Sequence, residues 1–216
     1  MITFKSVIFD ADGTLLDSMD AWGKVGADYL MRLGIKPLPS LRNDLRTLEG
    51  LEMSRYFQST YGVRESDAVI VDGINELLED FYFHEAPLKE RVLHVLEELH
   101  SRNIKMCVAT ATDKYLIESA LKRCDIIRYF GRIFTCGEEN TTKSSPDIFI
   151  RAAAFLETNI NDTLVVEDSL YAIRSAKIAG FPVAAVYDQS SEEHLDEIKS
   201  LCDYYGETMD GILRFL

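Results

Sequence analysis

Short apolar runs alternate with helical repeats along most of this chain. Between the runs, apolar residues recur every three or four positions, as in Leu88, Val92 and Val95, which predicts amphipathic helices. The tail predicts a helix over 191–201 and a short strand over 203–205. Alternating strands and helices predict an α/β fold built on a parallel sheet. The apolar runs, rich in valine and isoleucine as buried strands are, cover residues 6–9, 104–109, 132–136, 163–166 and 183–186.

One long segment interrupts this alternation. From residue 17 to 85 the apolar residues have helical spacing, for example Trp22 and Val25, and no convincing strand is present. We therefore predict an α/β core domain of residues 1–16 and 86–216, with a helical domain of residues 17–85 inserted after the first strand. Because ligands of open parallel sheets bind beyond the carboxyl ends of the strands, an insertion there would cover the site.

Composition and charge narrow the classes of partner. The chain has 216 residues, of which 47% are hydrophobic and 27% charged, as in ordinary globular proteins. A formal net charge of -13, with no run of lysine and arginine, argues against nucleic acid and anionic membranes as partners. Neither a signal peptide nor an apolar stretch of membrane-spanning length is evident, so we expect a cytoplasmic protein, acting as a monomer.

Two carboxylates stand at the end of the first predicted strand, in the sequence Asp10-Ala11-Asp12-Gly13-Thr14. Their spacing of two residues places both on one side of an extended strand end, and Gly13 permits a sharp turn after them. Asp and Gly also dominate ordinary turns, so the tetrapeptide alone favours a turn. Its position after a strand raises the case for catalysis.

Further polar residues follow the other predicted strands. Thr110 ends the second strand, where its hydroxyl could bind a phosphate oxygen, and Lys143 lies in a loop where it could neutralise a transferring phosphoryl group. Glu167 and Asp168 end the fourth strand and suit a magnesium ion. Each has an ordinary alternative, since hydroxyls and acids cap helices and loop lysines are solvated. Their order along the chain makes coincidence a poor explanation.

With these four motifs the chain resembles the haloacid dehalogenase superfamily of phosphotransferases over nearly its whole length. The resemblance implies a Rossmann-like core with a helical cap inserted after the first motif, as in β-phosphoglucomutases and many small-molecule phosphatases. It implies that Asp10 attacks phosphorus to form an aspartyl phosphate, while Asp12 protonates the leaving alcohol and then activates water. Thr110, Ala111 and Lys143 would bind the transferred phosphate.

The charges of the candidate site residues call for a cation. Asp10, Asp12, Glu167 and Asp168 carry four negative charges, and Lys143 offsets one of them before an anionic substrate arrives. Magnesium would supply the missing positive charge. By resemblance, the Asp10 carboxylate, the Asp12 main-chain carbonyl and Asp168 hold it, with Glu167 either a further ligand or a group behind the ligands.

A magnesium-dependent phosphatase acting on a small phosphorylated metabolite is therefore our first hypothesis. A phosphomutase of the β-phosphoglucomutase type is the main alternative. Where those mutases carry a cap histidine and a cap arginine, this chain has Trp22 and Met53, which argues against a mutase. Arg42, Arg46 and Arg55 remain as cap cations that could contact an anionic substrate. A protein that only binds a phosphorylated metabolite or a partner ranks lower, because both aspartates of the first motif are present.

Overall fold

Six strands form one parallel sheet through the centre of the protein. The computed structural model describes residues 4–45, 48 and 50–215. The strands are β1 (Ser6–Phe9), β2 (Lys105–Thr110), β3 (Ile133–Thr135), β4 (Thr163–Glu167), β5 (Val183–Val186) and β6 (Tyr204–Gly206). Their order across the sheet is β3-β2-β1-β4-β5-β6.

The register of the central strands aligns their carboxyl ends. Phe9, the last residue of β1, lies opposite Val108 of β2 and Val166 of β4. One more residue of β4 and two more of β2 extend beyond this level. The polar residues that follow these strands therefore meet at one edge of the sheet.

Helices connect the strands and cover the sheet. The α-helices in the described part of the chain are α1 (Met19–Arg32), α2 (Leu41–Leu45), α3 (Gly50–Tyr61), α4 (Asp67–Asp80), α5 (Val92–Ser101), α6 (Lys114–Arg123), α7 (Cys136–Glu139), α8 (Asp147–Leu156), α9 (Leu170–Ile178) and α10 (Leu195–Leu201). A π-helical segment covers Phe81–Glu85, and 3-10 helices cover Ile127–Tyr129, Ile160–Asp162, Gln189–His194 and Met209–Arg214. None of the helices described here has the length and apolar character needed to cross a membrane.

The two faces of the sheet pack against different helices. On one face, Ile8 belongs to an apolar cluster with Phe149 of α8 and Ile173 of α9. On the other face, Val7 and Phe9 belong to a cluster that includes the buried side chains of α5 and α6. Successive residues of β1 point to opposite faces, and because both faces are covered the strand is apolar throughout.

The segment between β1 and α5 is helical, as predicted. None of its described residues between 17 and 85 belongs to a strand. The rings of Tyr29 and Phe57 lie 5.7 Å apart, and both belong to the same apolar cluster as one face of the sheet. The two ends of the segment run side by side, since the Asp17 amide donates to the Pro87 carbonyl at 2.9 Å. The division into a core domain and a cap domain stays a prediction.

The predicted α/β fold is confirmed, with small shifts at element ends. Cys136 begins α7 and is not part of β3, because the Thr135 hydroxyl accepts a hydrogen bond from the Glu138 amide and starts the helix. The tail helix predicted over 191–201 begins as a 3-10 helix, and only its second half is α-helical. The predicted tail strand is present as β6, one residue further along.

Candidate active site

The carboxyl ends of β1, β2 and β4 bring the predicted site residues together. Asp10 follows β1, and its amide donates to the Val166 carbonyl of β4 at 3.0 Å. Thr110 is the last residue of β2 and Glu167 the last residue of β4. Asp10, Thr110, Glu167 and Asp168 are all buried. Neighbouring parallel strands thus deliver acids and a hydroxyl to one enclosed point.

Lys143, in the loop before α8, lies at the centre of this group with 2% of its surface exposed. Its ammonium group donates hydrogen bonds to the carboxylates of Asp10 and Glu167. Burial alone would lower the pKa of Lys143, but these two carboxylates raise it above its usual range. The ordinary alternative of a solvated loop lysine is therefore wrong.

Negative charge outweighs positive charge around Asp10. Burial, together with the carboxylates of Glu167 and Asp12, raises the pKa of Asp10 to about 8, against the opposing effect of Lys143. Burial and the carboxylates of Glu167 and Asp10 also raise the pKa of Asp168 well above its ordinary value. A further cation in the site would allow both aspartates to be ionised at neutral pH.

Asp10, Glu167 and Asp168 form a group of buried carboxylates whose candidate ligand atoms all lie within 4.8 Å of one another. Within the described chain, the Oδ2 atom of Asp168 is buried without a hydrogen-bond partner, while its Oδ1 atom accepts from Thr14 at 3.2 Å. A buried carboxylate oxygen without a partner is energetically costly. The donor set is all oxygen, which fits a hard divalent cation such as magnesium.

Glu167 differs from Asp168 in how its oxygens are used. Its Oε1 atom accepts from Lys143, and its Oε2 atom accepts from the amides of Asp168 and Ser169 at 2.9 and 3.0 Å. These bonds fix the turn after β4. On the opposite side Gly13 has φ of 82°, and a Cβ atom there would lie 2.5 Å from Oδ2 of Asp168. Asp168 is thus held between a fixed turn and a glycine backbone.

Asp12 is held by hydroxyl groups from three parts of the chain. Its Oδ1 atom accepts from Ser18 at 2.6 Å and also from Tyr82, and its Oδ2 atom accepts from Thr112 at 2.7 Å. Tyr82 in turn accepts a hydrogen bond from the indole N–H of Trp22 at 2.7 Å. The orientation of the candidate acid/base group therefore depends on the linker after β1, on the helical segment and on the loop after β2.

These partners of Asp12 are not predictable from the sequence. Tyr82 is separated from Asp12 by 70 residues along the chain, and no local pattern indicates such a contact. Thr112 follows β2, and its hydroxyl donates to Asp12. Its position two residues after Thr110 was the one available signal, because alternate residues at a strand end share a side.

Thr110 and Ala111 lie at the edge of the same site. The Thr110 hydroxyl is buried and accepts from the Thr112 amide at 3.1 Å. Ala111 is exposed. Both residues line a cavity of about 860 Å³ that also contains Asp10 and Lys143 in its lining. The predicted phosphate-binding residues therefore share one cavity with the predicted nucleophile.

The three arginines of the helical segment that could contact a substrate differ in position. Arg42 lines the cavity and forms an exposed ion pair with Asp20 at 3.4 Å. Arg55 is exposed and is not part of the lining. Arg46 lies outside the described residues. Among the aromatic residues of the helical segment, Trp22 also lines the cavity.

Comparisons with known proteins show to which family the chain belongs. A family model described as haloacid dehalogenase-like hydrolase matches residues 7–186. The chain is 28% identical to (DL)-glycerol-3-phosphatase 1, mitochondrial, of Arabidopsis thaliana, over 97% of this chain and 70% of that protein. It is 24% identical to Protein SUPPRESSOR OF QUENCHING 1, chloroplastic, of the same organism, over 89% of this chain but only 19% of that much longer protein.

Solved structures show the same fold. The crystal structure of CbbY from Rhodobacter sphaeroides in complex with phosphate matches this chain with a TM-score of 0.84 and 22% identity, over 95% of each chain. The family match runs from β1 to the end of β5 and includes all the strand ends that form the site. Because that match covers most of the sequence, the chain belongs to the haloacid dehalogenase-like hydrolases.

Proposed function

We propose that the protein is a magnesium-dependent phosphatase that hydrolyses a small phosphate monoester through a phosphorylated Asp10. The observation that carries the proposal is the buried group of Asp10, Glu167 and Asp168 beside the single ammonium group of Lys143. An acidic site of this kind suits a divalent cation that binds together with a phosphate. Membership of a hydrolase family and the likeness to a glycerol-3-phosphatase support this activity.

In the proposed reaction a carboxylate oxygen of Asp10 attacks phosphorus, and the bond from phosphorus to the alcohol oxygen breaks. Asp12 gives its proton to the departing alcohol. Asp12 then takes a proton from a water molecule that attacks the aspartyl phosphate and releases inorganic phosphate. The hydrogen bonds from Ser18, Tyr82 and Thr112 orient Asp12 for both proton transfers.

We assign binding of the transferred phosphate to Lys143, Thr110 and Ala111. All three line the cavity that contains Asp10. The Lys143 ammonium already contacts the Asp10 carboxylate, so it can neutralise charge between the nucleophile and the transferred group.

The proposed magnesium ligands are the carboxylates of Asp10 and Asp168 and the main-chain carbonyl of Asp12. The partnerless oxygen of Asp168 supports this choice. Glu167 has both carboxylate oxygens in hydrogen bonds, which favours a role in orienting Asp168. Bound magnesium would reduce the repulsion between these carboxylates and the substrate phosphate.

The phosphomutase alternative is weaker. A mutase must hold a second phosphate with its cap while the first is transferred. Trp22 and Met53 line the cavity on the cap side, and neither carries a charge.

We also propose that residues 17–85 form the cap. The hinge would lie where the chain enters and leaves this segment, at Asp17 and Pro87, which are joined by a backbone hydrogen bond.

The test is release of phosphate from sugar phosphates, nucleotides and p-nitrophenyl phosphate, with and without magnesium. The Asp10→Asn variant serves as the blank, since its amide preserves the shape but not the nucleophile. Release that needs both magnesium and Asp10 supports the proposal. Equal release by the variant would overturn it. Conversion of β-glucose 1-phosphate to glucose 6-phosphate without release of phosphate would favour the mutase.

A further inference from the structure

We infer that the alcohol portion of the substrate is uncharged and largely apolar, and that the cap side of the cavity selects for it. The inference rests on the proposed phosphatase activity and concerns its substrate class. It comes from the uneven distribution of apolar and charged side chains around the cavity of about 860 Å³. A space of this size holds a drug-sized ligand and far exceeds what a phosphate group fills.

On the cap side, α1, α2, α3 and the loops beside them contribute an apolar wall, and Asp20, Arg42 and Asn43 of the same segment also line the cavity. Leu41 and Met53 are almost fully buried, with 3% and 7% of their surface exposed, so the wall is continuous with the packed interior. Leu38 is half exposed and stands at the edge. The apolar wall comprises Trp22, Leu38, Leu41, Leu45, Leu48 and Met53.

Close packing holds this wall in place. A Cβ atom at Gly26 of α1 would collide with the side chain of Leu45, so the absence of a side chain lets α1 and the end of α2 approach. The indole N–H of Trp22 is bound to the Tyr82 hydroxyl, which fixes one end of that ring. The wall is therefore a preformed surface for the leaving group.

The charged lining offers little to an anionic leaving group. In the described lining, each lysine or arginine contacts a carboxylate that also lines the cavity: Lys143 with Asp10, Arg42 with Asp20, and Arg174 with Glu197. Asp12 and Glu192 add further acids to the lining. A carboxylate or second phosphate on the leaving group would face excess negative charge, whereas an apolar group would bury surface against the wall.

The first experiment compares esters with the same type of leaving alcohol. Hexyl phosphate, glucose 6-phosphate and the phosphate ester of 6-hydroxyhexanoate are all esters of primary alcohols, and they differ in being apolar, polar and anionic. We expect kcat/KM for hexyl phosphate to exceed that for the other two by about tenfold or more. Glycerol 3-phosphate extends the polar arm. A preference for any polar or anionic ester over hexyl phosphate overturns the inference.

Two exposed leucines provide a matched pair of variants. Leu38 lines the cavity and is 50% exposed, whereas Leu51 is 55% exposed and is not part of the lining. In Leu38→Arg we expect the ratio of kcat/KM for hexyl phosphate to that for the hydroxyhexanoate ester to fall by about tenfold. In Leu51→Arg the ratio should stay as in the wild type. If this ratio were the same in both variants, the apolar wall would not determine which leaving group is preferred, and the inference would be overturned.

These outcomes separate the inference from the proposed function. Hydrolysis that depends on Asp10 but favours glucose 6-phosphate or the hydroxyhexanoate ester overturns the inference, while the proposed phosphatase activity stands. Absence of any hydrolysis that depends on Asp10, across all the esters, overturns both. Both results come from the same measurement of phosphate release, with the Asp10→Asn variant as the blank.

Discussion

The Tyr82 hydroxyl connects Trp22 of the helical segment to Asp12 in the candidate active site. In Tyr82→Phe the ring stays in place, but Asp12 loses one of its hydroxyl donors and Trp22 loses its acceptor. We expect kcat to fall about tenfold with a smaller change in KM, since a hydrogen bond to a charged group is worth about 1.5–3 kcal/mol. Steady-state kinetics on p-nitrophenyl phosphate would measure this change.

Tyr115 provides the control for this variant. Its hydroxyl also donates to a carboxylate, that of Glu79 at 3.1 Å, but on an exposed part of the surface. Tyr115→Phe should keep the wild-type kcat. An equal loss in both variants would contradict a specific role of Tyr82 in orienting Asp12.

Asp168 should determine the response of stability to magnesium. A cation that binds only the folded protein raises its melting temperature. In Asp168→Asn we expect the metal-free protein to melt at a higher temperature than the wild type, because one of the mutually repelling buried carboxylates is gone. We also expect the magnesium-dependent rise to be lost. Thermal melts with a magnesium titration would test both effects, with Asp162→Asn, at the ion pair with the exposed Lys5, as control. A wild-type magnesium response in Asp168→Asn would remove Asp168 from the metal site.

At the residue scale, the groups that follow strand ends are predictable from the sequence, and those that more distant segments bring to the site are not. Asp10, Thr110 and Asp168 could be predicted because parallel strands align their carboxyl ends. The Tyr82 contact depends on how the helical segment packs, which no local pattern encodes. The complete burial of Lys143 was also not predictable from its polar loop.

At the scale of elements, the turn after β1 depends on two properties of Gly13. Its φ of 82° is in the left-handed region, and a Cβ atom would lie 2.5 Å from Oδ2 of Asp168. Gly34, after α1, has a similar φ of 75° but nothing within 4 Å of the Cβ position. The two glycines therefore separate the effect of backbone strain from the effect of crowding against Asp168.

We expect Gly34→Ala to cost about 1–2 kcal/mol of stability, with activity unchanged, because only backbone strain is added. Gly13→Ala should cost more and should also lower kcat at least about tenfold, because the methyl group displaces Asp168. Chemical denaturation and kinetics of the two variants would measure this difference. If Gly13→Ala kept full activity, the close approach of Gly13 to Asp168 would not be needed for activity.

Element types were more predictable than element ends. The strands with both faces buried stood out as apolar runs, and β1 and β5 match the predicted ranges. The π-helical segment Phe81–Glu85 was not predicted, because a helical repeat in the sequence does not distinguish π from α geometry. Tyr82 lies in this segment, so the sequence predicts neither its π-helical geometry nor the contact of its hydroxyl with Asp12.

At the scale of the whole molecule, the ion pair of Lys89 with Asp188 joins the segment before α5 to the loop after β5. The two charged atoms lie 2.7 Å apart, and both side chains are largely buried. Burial would raise the pKa of Asp188, but the hydrogen bonds from Lys89 and Ser190 outweigh it and lower that pKa. The pair therefore stabilises the fold above the unfolded carboxyl pKa of about 4, and this contribution is lost as pH falls through the lower folded value.

We expect Lys89→Met to reduce the free energy of unfolding by about 2–3 kcal/mol at neutral pH, because it leaves a buried carboxylate without its cation. The difference from the wild type should shrink when the pH is lowered below about 4. Lys5 and Asp162 form a pair of the same 2.7 Å length with an exposed lysine, so Lys5→Met should change little. A deficit of Lys89→Met that persists in acid would contradict this account.

The central claim is that Asp10 carries the phosphate and Asp12 completes turnover, and trapping the intermediate tests it most directly. p-Nitrophenolate leaves without help from an acid, so Asp12→Asn with magnesium and p-nitrophenyl phosphate should phosphorylate Asp10 and then stall. We predict a burst of about one nitrophenolate per protein molecule, with the phosphate on the peptide that contains Asp10 and no burst in Asp10→Asn. Phosphate on another residue, or a burst that persists without Asp10, would contradict the account.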